Sequence, residues 1–145
     1  MGKIQIMADS ASDISPEDEE ALHISILPYP IMFRDRTYIS RVELDNDQFY
    51  RLLAQSGEIP KTAQLTTFQF EEIYLQQAED DVDDLILVLI NSKGSATYQN
   101  AVAATRTFFE AHPEFRQTFR IHVLDGLGYS SLYGAPVVKA AQMAQ

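Results

Sequence analysis

The chain has 145 residues, 46% of them apolar, enough for one domain with a proper core and too many for a disordered segment. Its 21 acidic and 11 basic residues leave a formal charge of −10, which repels a phosphate backbone and an anionic membrane surface and so argues against nucleic-acid and membrane partners. There is no cysteine, which removes disulfides, thiolate zinc sites and cysteine nucleophiles together.

KIQIMAD (3–9) reads as a first strand. A polar segment, Asp9-Ser10-Ala11-Ser12-Asp13, follows it. Ser15 has the character of an N-cap, with Pro16 at the first helical position and Glu17 and Asp18 in the first turn. That short helix is expected to run to about Leu22. HISILPYPIMF (23–33) is extended, but Pro28 and Pro30 cannot donate ladder hydrogen bonds, which places it at a sheet edge or a bulge. RDRTYISR (34–41) reads as a turn or hairpin. Leu44 to Ser56 is a helix, with Asp45 and Gln48 as a capping box and Gly57 as its stop. A polar loop, 60–66, leads into a helix that turns Phe70, Ile73, Tyr74 and Ala78 inward. The acidic run Glu79–Asp84 reads as a solvated turn. LILVLI (85–90) is apolar on both faces, the mark of a central parallel strand covered on each side. Tyr98, Ala101, Val102, Thr105, Phe108 and Phe109 recur at helical spacing, and His112-Pro113 closes that helix. IHVLD (121–125) is the last strand, 126–131 a loop, and a final helix runs to the end. Strands alternating with helices imply an α/β fold: a three-layer α/β/α domain with a mainly parallel sheet.

In such sheets ligands bind outside the carboxyl ends of the strands. Those ends carry Asp9-Ser10, the stretch Ser92 to Thr97, and Asp125-Gly126. The loop around Thr62 can reach the same edge. Hydroxyls beside helix starts suit an anion such as a carboxylate or phosphate. Each candidate has a plainer reading. Ser95, Thr62 and Thr66 can be N-caps, and Asp9 and Asp125 can satisfy local loop amides. His23, His112 and His122 have no metal-ligand spacing, so no metal is expected. Lys93-Gly94-Ser95 lacks the order of a P-loop, and no G-x-S-x-G elbow occurs.

Taken together these loops resemble the DegV family of fatty-acid-binding proteins. The chain reads D-S-x-S-D-I, then I-L-P-Y-P-I-M-F, P-K-T-A-Q-L-T, N-S-K-G-S-A-T-Y-Q-N-A and V-L-D-G, in the family's order. The resemblance implies a two-domain fold of which this chain is the N-terminal domain, 1–145, either as a fragment or as a natural truncation, with a fragment expected. It implies that Thr62 and Ser95 bind the carboxylate of a long-chain fatty acid. Asp9, Ser10, Gln64, Ala96, Thr97 and Asp125 are secondary candidates. It also implies a carrier that needs no cofactor and is not itself an enzyme, presenting its ligand to a separate fatty acid kinase. The opening residues do not read as a signal peptide and no run reaches the roughly 18 apolar residues of a membrane span, so no membrane insertion and a cytoplasmic location are expected.

Several positions depart from the family pattern. Ala63 lacks a hydroxyl, Leu65 replaces a proline, Ala96 adds a methyl where the family has glycine, and Gly126 replaces a serine. Pro136 falls where the family's helix has begun, so that helix is expected to start late or bend. Two rivals remain at this stage. One is a hydrolase or transferase using Ser95 or Ser10 as nucleophile, which requires His122 or His23 within about 3 Å of it. The other is a non-catalytic module whose acidic face binds a basic protein.

Overall fold

A computed structural model describes residues 2–34 and 36–145. Four parallel strands form the main sheet: β1 (Ile4–Asp9), β2 (Ser25–Leu27), β6 (Asp84–Leu89) and β7 (Arg120–Asp125), in the order β2-β1-β6-β7. The chain passes from β1 outward to β2, then returns to the other side of β1 for β6. The connections therefore reverse direction between β1 and β6, and the carboxyl ends of those two strands flank a crevice.

Helices cover both faces, as expected. On one side lie α3 (Thr67–Glu79) and α4 (Thr97–Ala111), whose Phe70, Tyr74, Ala101, Ala104 and Phe108 pack on Leu85, Leu87 and Leu89. On the other side α5 (Ser131–Ala144) sets Val137 and Ala141 against Ile6 and Ala8, with Ile86 and Val88 at the rim of that cluster. Alternate side chains of a strand face opposite ways, which is how LILVLI serves both layers. The helix start signals act as read. Ser15 caps α1 (Pro16–Ala21), and capping boxes open α2 (Asn46–Ser56) at Asp45 and α3 at Thr66. Leu44 stays outside α2, buried just ahead of the cap.

Four expectations are corrected. The segment 23–33 is not one strand at one edge. It breaks at Pro28 into β2, an edge of the main sheet, and β3 (Pro30–Phe33), which lies between β4 (Arg36–Ile39) and β5 (Lys61–Thr62) in a second, antiparallel sheet. Pro30 is tolerated there because it is the first residue of its strand, where its carbonyl still accepts from Ala63 at 3.3 Å. The hairpin read at 34–41 supplies β4 (Arg36–Ile39), and the supposed loop at 60–66 contributes β5 (Lys61–Thr62). The acidic run is not wholly solvated: Glu79 ends α3, Val82 is buried, and Asp84 opens β6. Finally, α5 begins at Ser131, five residues ahead of Pro136, so the helix does not start late.

Candidate functional site

Asp9 ends β1 at the crevice. Its carboxylate is fully buried and accepts from Ile90 N at 2.7 Å, Ala11 N at 3.0 Å and Tyr133 Oη at 2.5 Å. These bonds tie the ends of β1 and β6 to α5. Burial pushes the Asp9 carboxyl above its ordinary range, against the pull of the Tyr133, Ile90 and Ala11 donors. Both nearby phenols, Tyr29 and Tyr133, are held above their ordinary range by burial and by the Asp9 charge, so they stay protonated as donors.

A chain of hydroxyls lies beside Asp9. Tyr29 Oη donates to Thr97 Oγ1 at 3.0 Å, and Leu65 N donates to the same oxygen at 3.3 Å. Thr97 Oγ1 is also 3.0 Å from Ser95 Oγ, which accepts from Thr97 N at 3.3 Å. The amide of Tyr29 is shared between Ser10 Oγ and Ser40 Oγ, each at 3.0 Å, and Ser40 donates to Ser10 at 2.9 Å. Asn100 Nδ2 holds Leu65 O at 2.7 Å. The Leu65 loop and the start of α4 are thereby fastened together.

The sequence-named residues divide into two groups. Thr62 is exposed on β5, and among the described residues its hydroxyl has no hydrogen-bond partner. It lines a cleft of about 210 Å³ with Ser10, Tyr29, Ile31, Ser40 and Phe49. Ser95 is half-buried outside that cleft, and Tyr29 links the two places, its ring on the cleft and its hydroxyl on Thr97. Gln64 and Ala96 are exposed. Asp9 and Thr97 lie wholly beneath the surface, so they support the site and offer nothing to a ligand directly. Asp125 accepts from Ser92 N and Leu127 N, both at 3.0 Å. Its hydrogen bonds to Ser92 and Leu127, with Lys93 near, hold its carboxyl below the usual range, and it orders its own loop. Ser95 is not the N-cap of α4; Ala96 holds that position and caps nothing.

Tyr29, Ser40 and Tyr133 were not foreseen. They sit 68, 30 and 124 residues from the partners they bond, and nothing local in the sequence marks them. Gly126 gains an explanation at the same time. A Cβ there would stand 2.6 Å from Leu89 O and 2.8 Å from Tyr133 Cβ. Tyr133 fills the room that a serine at 126 would need, and its own hydroxyl donates to Asp9.

The serine-nucleophile rival loses its base. His122 Nε2 lies 2.8 Å from Asp84 Oδ1, at the amino end of the sheet, and His23 is exposed near Gln5 at that same end. Among the described residues no histidine contacts Ser10 or Ser95, and no cluster of histidines and acids has the makings of a metal site. No described helix is long and apolar enough to cross a membrane.

The ends of β1 and β6 thus carry a cluster of hydroxyls around a buried aspartate, at the switch point where open α/β sheets take their ligands. The family model described as "Uncharacterised protein, DegV family" matches residues 3–145, and the chain belongs to that family. A DegV domain-containing protein of Caldanaerobacter subterraneus subsp. tengcongensis is 33% identical over 144 residues, which are 99% of this chain and 48% of that protein. A fatty acid-binding protein of Thermotoga maritima is 30% identical over 110 residues, 72% of this chain and 37% of that one. A crystal structure of a stearic acid-binding protein from Eubacterium ventriosum superposes with a TM-score of 0.84 at 22% identity, over 99% of this chain and 47% of that one. At that identity the likeness is one of fold. The chain spans about half the length, or less, of these proteins.

Proposed function

We propose that this chain forms the head-group side of a fatty-acid-binding protein, with the ligand's carboxylate accepting hydrogen bonds from Thr62 and Ser95. The observation that carries this is a pair of hydroxyls on residues that match the family's motif, Thr62 on β5 with no partner among the described residues and Ser95 beside the start of α4. The names of relatives that bind fatty acids support the ligand class. In this reading the protein is a carrier and not a catalyst, acts in the cytoplasm, and hands its ligand to a separate kinase that makes the acyl phosphate. The carrier supplies donors and shelter, and the phosphoryl-transfer machinery belongs to the partner.

Native mass spectrometry of the full-length protein tests the ligand directly. A bound species of fatty-acid mass is expected, and Thr62→Val combined with Ser95→Ala should remove it. If the double variant keeps its lipid, the carboxylate lies elsewhere.

A further inference from the structure

We infer that Tyr29 and Thr97 are positioning residues that turn the Ser95 hydroxyl proton outward, making Ser95 an obligate donor to an acceptor-only head group. The inference rests on the carboxylate reading above and deepens it. A hydroxyl oxygen has two lone pairs and one proton. On Thr97 Oγ1 both lone pairs are taken, by Tyr29 Oη–H at 3.0 Å and Leu65 N–H at 3.3 Å. Thr97 can therefore relate to Ser95 in one way only: it donates across the 3.0 Å contact. Ser95 Oγ then accepts from Thr97 Oγ1 and from Thr97 N, which fills its own lone pairs. Its proton is left over: among the described residues Ser95 Oγ makes no further hydrogen bond, and the neighbouring Tyr29 oxygen is the acceptor that a head-group oxygen must displace. The direction of the whole chain, Tyr29 to Thr97 to Ser95 to ligand, is set by the fully buried Thr97 and by Tyr29, which is 8% exposed.

The same accounting applies on the other side of Tyr29. Ser10 Oγ accepts from Tyr29 N and from Ser40 Oγ, so its proton too is surplus, and Ser10 lines the cleft that holds Thr62. One residue thus aims a donor on each side of itself, through its amide and through its phenol. A carboxylate accepts and cannot donate, so this polarity selects it over head groups that offer a proton of their own.

The test measures palmitate and hexadecanol affinities of the full-length protein and its variants. Tyr29→Phe removes the first donor, frees a lone pair on Thr97 and lets Ser95 turn inward. Palmitate should then bind about three- to tenfold more weakly, with hexadecanol little changed, so that head-group selectivity drops. Thr97→Ser, which keeps the hydroxyl, should behave as the parent, and Thr97→Val should resemble Tyr29→Phe. In a Ser95→Ala background Tyr29→Phe should add nothing. If it weakens palmitate equally with and without Ser95, the relay is wrong while the carboxylate site stands. If Ser95→Ala alone leaves palmitate affinity unchanged, the head-group reading fails and takes the relay with it. Thermal unfolding of each variant separates misfolding from lost binding, and Thr97→Ser keeps the relay falsifiable where Thr97→Val fails to fold.

Discussion

Ser12 carries the one buried side-chain oxygen among the described residues that has no hydrogen-bond partner. It is 1% exposed and sits in the short turn after β1, where its carbonyl presses on Gly134 of α5. A Cβ on Gly134 would come within 2.2 Å of that carbonyl, so the turn is packed too tightly to swing the hydroxyl toward water. A desolvated hydroxyl without a partner is a penalty with no return. Ser12→Ala keeps the Cβ and removes the penalty, and is expected to stabilise the fold by about 1 kcal/mol, read as a higher midpoint in urea. A loss of stability would mean that the hydroxyl has a partner in solution, such as a bound water. Asp9 shows the opposite case one turn away. It is equally buried, but three donors satisfy it, and removing it would orphan all three.

At the scale of elements, the amino end of the sheet is closed by charge where the carboxyl end is closed by hydroxyls. Asp84 opens β6 and accepts two bonds from the Arg120 guanidinium, through Nε at 2.7 Å and through Nη2, while His122 Nε2 stands 2.8 Å from the same carboxylate. The Arg120 and His122 hydrogen bonds hold the Asp84 carboxyl well below its usual range. A carboxylate whose pKa is depressed by folding stabilises the native state above its unfolded pKa, and that contribution is lost as pH falls through the folded one. Arg120 is largely exposed, so solvent screens the pair and its worth is small. Asp84→Asn should therefore lower stability by about 1 kcal/mol or less at neutral pH. The gap should hold down to about pH 4, close below it, and narrow with added salt. Unfolding curves at pH 7 and pH 3 check this; a gap that widened in acid would mean that Asp84 is not the ionised partner. This clamp was invisible in the sequence, where Asp84 read as part of a solvated run. The capping box at Asp45 was legible because its partner lies three residues away, and Thr66 was legible as a cap, though its box with Gln69 was not read. The small sheet was not. Its pairings join Ile31 to Thr62 through strands of two to four residues, too short to show a period of two.

In the proposed reading, what would hold a head group is separate from what would hold a tail. Thr62 and Ser95 were named from motif order; Thr62 lies on the short strand β5 and Ser95 in the loop between β6 and α4. The hydroxyl network beside Ser95 could not be, because Tyr29 meets Thr97 across 68 residues and only after the sheet has formed. The tail raises a different question. Burying a sixteen-carbon chain is worth on the order of 11 kcal/mol at about 0.8 kcal/mol per methylene. Hydroxyl donors to a carboxylate contribute about 2–4 kcal/mol before the cost of association. The cleft at Thr62 holds only about 210 Å³, while Leu127 and Leu132, beyond β7, remain 77% and 75% exposed. These 145 residues taken alone therefore supply donors and open apolar surface, with no enclosed wall beside Thr62 among the described residues. Their affinity for palmitate is expected to be no tighter than about 1 mM, the constant that roughly 4 kcal/mol allows. Titration calorimetry with a ligand kept below its micelle concentration measures it. Micromolar binding would show that this stretch shelters the tail by itself, and Leu127→Gln with Leu132→Gln would then decide whether the exposed surface beyond β7 is where it lies.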